Sequence, residues 1–544
     1  SKRSPSGPGT TFGYDTRGRL ISVTNALGQA KTFGYDENDN LIWSKDANQR
    51  TTTFEYDKLN RLEFKHLPAT PDDLGGTVVY VYDDAGNLTK ITHPYNGSIE
   101  MTYDNLNRVI SSVQTLPGGQ SYTIGYVYDP NGNKTLMTTP WLNFSYVYDA
   151  LNRLESLTNP EGRRWTFGYD PTGKRTRLTY PNFTETSYAY DAAGQLLQIL
   201  HRNTLDNTAL AFSTYSYDAA GNRTSMHDMT GAHVFGYDDL HRLISASHPP
   251  GSNIAVKNEV FDYDGVGNRT LDALRTGYQY DAANRLQADS QYTYGHDDNG
   301  NLIWARGLSG QTTSYGYDAE NQLVRVSLPD GTIVRHKYDG LGRRIEKSTG
   351  TVPSQTARYI YDGPRVLAIL DGNNELATLF TNGPGPVEPL SMRRGGQEHF
   401  LHPDGLGSIV ALTDAGGNGV ENYEYSAFGR AVVKGGNGSI YAQSQLGNPI
   451  LYAGTQYDPE TGFNHALYRD QNPDMGRWTQ EDPIGFMGGD VNLYAYTHNQ
   501  PTGFSDPSGL SAQDVVTIFV VYRQLLMEMN RKGLRYPSSG VAAA

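Results

Sequence analysis

The 544 residues carry a formal charge of -13, from 58 Asp and Glu against 45 Lys and Arg. That is the wrong sign for nucleic acid or an anionic membrane, because phosphate binding needs clustered Lys and Arg. Cysteine is absent, which excludes disulfide frameworks, zinc-finger motifs and thiol nucleophiles. Only 37% of residues are hydrophobic, while glycine numbers 60 and tyrosine 39. Such a composition suits a thin sheet wetted on both faces better than a string of globules with thick cores.

From the start, the dipeptide Tyr-Asp recurs: Tyr14-Asp15, Tyr35-Asp36, Tyr56-Asp57, Tyr82-Asp83, Tyr103-Asp104, and onward to Tyr338-Asp339 and Tyr361-Asp362, with His296-Asp297 as a degenerate copy. The commonest step is 21 residues, and periods of roughly 20–50 residues mark stacked architectures. Within one step, Thr51–Tyr56 alternates β-branched or aromatic residues with polar ones and reads as a strand. A turn follows, in forms such as Asp57-Lys-Leu-Asn-Arg61 or Asp83-Asp-Ala-Gly-Asn87, with Gly or Asn where positive φ is expected. A Leu-centred strand and a second turn complete the unit. Two strands alone are marginal in water, so the units are expected to stack into one coiled antiparallel ribbon over residues 1–365. Tyr should ladder on Tyr, and Asp should turn the chain.

After Tyr361-Asp362 the rhythm stops. Residues 366–510 carry Gly383-Pro-Gly-Pro386, then His402-Pro-Asp404-Gly-Leu-Gly-Ser408, Gly476-Arg-Trp478, Glu481-Asp482-Pro-Ile-Gly485, Asn492-Leu-Tyr-Ala-Tyr496 and Asp506-Pro-Ser-Gly-Leu510. His402 and Asp404 suit packing or hydrogen bonding better than a metal, because no third ligand has matching spacing. The final segment, 511–544, opens Ser511-Ala-Gln-Asp514 and holds an apolar stretch too short to span a bilayer. It reads as a helix bounded near Asp514 and Gly533, and as the beginning of a further domain or a membrane-active piece.

The Tyr-Asp array followed in this order by those C-terminal motifs resembles the rearrangement-hotspot (Rhs) family of YD-repeat proteins, related to the C component of bacterial toxin complexes. The resemblance covers residues 10–510. It implies an all-β fold, in which the ribbon spirals into a hollow shell around a C-terminal toxin, closed by a self-cleaving core segment. It implies scission between Leu510 and Ser511 by an aspartate pair, Asp482 and Asp506, assisted by Arg469. The sequence around Arg469 departs from the family's pattern, reading Asp470-Gln471-Asn472-Pro473 after it. Two carboxyls sharing a site cannot easily both ionise, which supplies an acid and a base for activating water.

On this reading the shell binds no nucleic acid and needs no cofactor or metal. Its partners are its own toxin segment, components of a secretion system or toxin complex, and an immunity protein. Residues Ser1–Gly9 precede no apolar stretch, so a bacterial cytoplasmic origin with specialised export is expected in place of a secretory signal. The alternatives are a non-cleaving adhesion or carbohydrate-binding repeat protein, and a truncated cassette that delivers nothing.

Overall fold

A computed structural model describes residues 9–350 and 355–510. The scission partner Ser511 and the helix expected after it lie outside the described residues.

Among the described residues, strands follow one another without crossovers. From Thr11–Tyr14 to Arg269–Asp272, 24 strands each pair antiparallel with the next. A second run of 17 goes from Gln279–Tyr280 to Ile440–Tyr441, and four short strands between Gln456–Asp458 and Arg477–Trp478 form a small third sheet. The ribbon therefore passes straight through residue 365, where the Tyr-Asp rhythm ends. Strands Arg365–Asp371 and Leu376–Asn382 continue the same ladder. The expected boundary at 365–366 is thus no break in the sheet: a hairpin ladder needs alternating strands and a tight turn, and Tyr-Asp is only one way to make that turn.

Each Tyr-Asp turn is built alike. In the turn at Asp57, the backbone N–H of Asp57 donates to Arg61 O, and Asn60, at φ 59, occupies the left-handed position. Gly86, at φ 86, does the same one repeat on, which explains why Gly and Asn alternate there. The aspartate closes the loop: Asp57 Oδ1 accepts the Leu59 and Arg61 N–H groups, and Oδ2 accepts Arg61 Nε at 2.7 Å. A bulge before the tyrosine sets Tyr56 opposite Leu62, and the leucine is buried.

The tyrosines are tied in through their hydroxyls as well as their rings. Hydroxyls down the array donate to a backbone carbonyl of the preceding repeat, as in Tyr56 to Leu41 O at 2.9 Å, Tyr169 to Leu154 O at 2.9 Å and Tyr317 to Leu302 O at 2.9 Å. The turn arginine lies over the next repeat's ring, as with Arg153 over Tyr169 at 4.8 Å, within cation–π range. Tyr and Asp thus stitch repeat to repeat through backbone and arginine.

The ribbon coils, and contacts between coils show how. Thr70 Oγ1 donates to Tyr317 O, Asn96 Nδ2 to Tyr338 O, and Gln114 Nε2 to Tyr361 O. The turns on one edge of the first coil therefore meet the Tyr-Asp turns of the next. The sequence separation across this seam falls from 269 residues at Gln29–Asp298 to 214 at Asn203–Gly417 and 172 at Ser252–Glu424. Less chain is needed to return to the seam toward its later end, so the coil tightens along its length. Where coils overlap most closely, a core forms from residues such as Phe144, Leu157 and Trp165 of one coil with Ile360, Phe380 and Phe400 of the next.

Residues 450–510 form a cap seated on Tyr-Asp turns. Tyr494 Oη donates to Gly300 O, Asn499 Nδ2 to Gly267 O, and Arg477 Nη2 to Asn284 O. Buried Asp458 pairs with Arg344 at 2.6 Å and Lys347 at 2.8 Å, tying the cap to the second coil.

Candidate active site

The cap has little regular structure, and its course is set by asparagine and aspartate turns. Asp482 begins one of them: its Oδ1 accepts Ile484 N–H at 2.9 Å, and its carbonyl accepts Gly485 N–H, starting the 3-10 turn Gly485–Gly488. Asp482 Oδ2 is left free of its own turn and points at Arg469 Nη2, 2.9 Å away. Asp506 makes the last turn of the described chain. Its Oδ1 accepts Ser508 Oγ–H at 2.7 Å, Gly509 N–H at 2.9 Å and Leu510 N–H at 3.2 Å, while Oδ2 lies 3.6 Å from the same Arg469 Nη2.

Arg469 stands between the two carboxyls and does three further things. Its Nε donates to Gly509 O, its Nη1 to Leu493 O at 3.2 Å, and its guanidinium stacks over Trp478 at 4.3 Å. The neighbouring backbone aligns with the C-terminal turn, Leu467 N–H donating to Pro507 O and Tyr468 N–H to Ser508 O. The arginine side therefore grips the strand that ends at Leu510, and Leu510 itself is fully buried.

These groups share a cavity of about 20 Å³, lined by Arg469, Asp482, Gly488, Asp506 and Leu510, with Asp490 and His498 at one side. A volume of that size admits about one water. Burial pushes the Asp482 carboxyl up to about 6, against the pull of Arg469, and Asp506 adds to the rise. Burial also raises Asp506, opposed by Arg469 and by its three donors. The result is two buried carboxyls, both raised above the ordinary carboxylate range, beside a fixed cation and a backbone carbonyl. Such a pair titrates as a unit.

The structure thus brings together the four described residues singled out by the sequence: Arg469, Asp482, Asp506 and Leu510. It places His402 and Asp404 elsewhere. His402 is fully buried, bonds Thr413 Oγ1 at 2.9 Å and packs on His201, while Asp404 caps its turn by accepting the Leu406 and Ser408 N–H groups.

Sequence reasoning passed over several neighbours. Trp478 was visible only as part of Gly-Arg-Trp, with nothing to mark it as the platform under Arg469. Asp490 and His498 pair at 3.0 Å, which raises the His498 imidazole. His498 sits in three consecutive left-handed residues, Thr497 at φ 47, His498 at φ 54 and Asn499 at φ 61, a costly backbone for a β-branched residue. No periodic signal announces such a segment.

Comparison with known proteins agrees with this architecture. The sequence matches the family described as teneurin YD-shell over residues 5–116 and 237–502, and the RHS repeat family over 148–182 and 190–233. The double-stranded DNA deaminase toxin A of Burkholderia cenocepacia is 30% identical over 325 residues, 55% of this chain and 22% of the relative. The toxin protein Tse5 of Pseudomonas aeruginosa is 28% identical over 341 residues, 55% of this chain and 24% of the relative. The chain therefore spans about a quarter of the length of these relatives. In the solved structure of TcdB2-TccC3-Cdc42 the same fold recurs, with a TM-score of 0.77 at 18% identity, over 92% of this chain and 28% of that one.

Proposed function

This chain belongs to the teneurin YD-shell family, with Rhs-type toxins among its relatives, and on that premise we propose that it is part of a toxin shell that cuts its own chain after Leu510 to free a C-terminal effector. The observation that carries the reading is the convergence of Arg469, Asp482 and Asp506 on the buried end of the described chain at Leu510.

The chemistry follows from that placement. One carboxyl of the pair is ionised and takes a proton from water as the water oxygen bonds to the Leu510 carbonyl carbon. The other, protonated, gives its proton to the Leu510 oxygen, so the tetrahedral adduct carries two hydroxyls and no net change in charge. When the adduct collapses, the C–N bond to Ser511 breaks: the nitrogen takes a proton from the pair, and one hydroxyl of the adduct returns its proton to the pair as the carbonyl re-forms. The products are a Leu510 carboxyl and a free Ser511 amine. Arg469 acts by holding: its ion pairs keep the two carboxyls in mutual reach, and its bond to Gly509 O fixes the strand leading into the bond that breaks. General acid–base work of this kind contributes roughly 10²–10⁴-fold, and the fixed placement of the carbonyl beside the pair adds to it.

The test is the fate of newly made chain on a denaturing gel. Wild type should give two species of very unequal size; Asp482→Asn and Asp506→Asn should each give one. Full-rate cleavage in either variant would sink the aspartate pair. The non-cleaving adhesion reading predicts one species in every case.

A further inference from the structure

We infer that Gly488 is a positioning residue for this cleavage: by lacking a side chain it keeps open the slot in which the attacking water stands. The inference rests on the aspartate reading above, and goes beyond it by naming where the water sits and what makes room for it.

Gly488 ends the 3-10 turn that Asp482 begins. A Cβ built on it would lie 2.7 Å from Asp482 Oδ2 and 3.2 Å from Leu510 O. One missing methyl therefore touches both the carboxylate and the carbonyl of the bond to be cut. The first of these separations is closer than carbon and oxygen tolerate. Asp482 Oδ2 has little freedom to retreat, because it is held by Arg469 at 2.9 Å while Oδ1 is held by Ile484 N–H.

Backbone conformation gives no competing reason for glycine at this position. Gly488 is not among the positive-φ glycines, whereas its neighbour Gly489, at φ 88, is. The turn needs glycine at 489 for its left-handed ending and at 488 only for space. That space belongs to the cavity of about 20 Å³ that Arg469, Asp482, Asp506 and Leu510 line, which is room for about one water. A polar wall with several hydrogen-bonding partners is what holds a buried water in place. Water held there lies against one carboxyl of the pair and the carbonyl it attacks, so its approach is set before the reaction begins.

Gly488→Ala should fill the slot while leaving all three charged residues present. Displacement of a reacting group by about 1 Å costs on the order of 10²-fold, so cleavage of freshly translated chain should slow at least that much. The methyl would also shed water from Asp482, so the pH above which residual cleavage fades should move upward; a merely structural role would lower yield without moving it. The other ionisable groups around the cavity, Arg469, Asp506 and the Asp490–His498 pair, are untouched by the change. Gly503→Ala, where a Cβ would meet nothing within 4 Å, should cleave within about twofold of wild type.

If Gly488→Ala fails to fold, Ala495→Val narrows the same cavity from another wall and should slow cleavage about tenfold. Cleavage of Gly488→Ala within threefold of wild type, with an unmoved pH limit, would overturn the slot. So would a normal rate in Ala495→Val if Gly488→Ala proves unfoldable. The failures are separable: if Asp482→Asn cleaves normally the aspartate reading falls, whereas if Asp482→Asn is inert and Gly488→Ala is normal only the slot falls.

Discussion

One aspartate of the ribbon and one of the cap put the same kind of turn to opposite ends. In the ribbon, Asp104 spends both oxygens on its own turn, accepting the Leu106 and Arg108 N–H groups and Arg108 Nε. Those hydrogen bonds hold its carboxyl below the usual range. In the cap, Asp482 keeps only one oxygen for its turn and turns the other inward, and burial pushes it up to about 6. Residue type and turn-forming role are the same; the difference is whether water still reaches the second oxygen. Hydrogen bonds within the turn lower Asp104, whereas burial beside a second carboxyl raises Asp482.

Breaking this contrast on the cap side should give the largest effect. Asp482→Asn or Asp506→Asn is expected to cut the cleavage rate by about 10²–10⁴-fold, read as precursor remaining over time, whereas Asp104→Asn in the ribbon should leave that rate unchanged. Arg469→Ala comes next. It leaves two buried carboxyls without their cation, a loss of roughly 3–5 kcal/mol in systems of this kind, and should appear as faster hydrogen exchange across residues 467–510 with the ribbon unaffected. Arg469→Lys should rescue only partly, since it cannot both stack on Trp478 and span the carboxyls and Gly509.

pH sharpens the contrast further. The raised Asp482 pKa means that the folded cap holds a proton between about pH 4 and 6 that the unfolded chain releases. The stability from that proton is fully present near pH 4 and is lost as the pH rises through 6. Cleavage needs the same proton, so its rate should fall roughly tenfold per pH unit above 6. A ribbon carboxyl held by its own exposed turn runs the other way. Asp104 is depressed, so its contribution persists above the ordinary carboxylate range and fades only as the pH falls below it. Rate-versus-pH and exchange-versus-pH measurements on one sample should therefore diverge between pH 4 and 6. The smallest effect belongs to a single stitch of the ribbon. Tyr169→Phe removes one bond to Leu154 O, worth about 1 kcal/mol, and in a repeat array that loss should stay with its neighbours. Local exchange near residues 154 and 169 is the measurement.

The ribbon was legible in the sequence because local rules build it: alternation gives strands, Asp with Gly or Asn gives turns, and sequential hairpins stack. The partner of each tyrosine was not, since a hydroxyl reaching a backbone carbonyl leaves no trace in residue identity. The tightening was equally hidden, because it depends on how many hairpins close one coil. Asp482, Asp506 and Arg469 were found through resemblance and not through spacing; irregular chain brings them together, with Asn492, Asn499 and Arg477 anchoring it to turns far earlier in sequence. Gly488 was hidden most completely, because its contribution is an absent side chain.

The central claim is that the buried carboxyl pair cuts the chain beside Leu510. Intact mass of the purified protein under denaturing conditions tests it most directly. The account predicts a major species ending at Leu510, and its loss in Asp482→Asn. A single species at the full 60.0 kDa of this chain, or a cut elsewhere that survives Asp482→Asn, would contradict it.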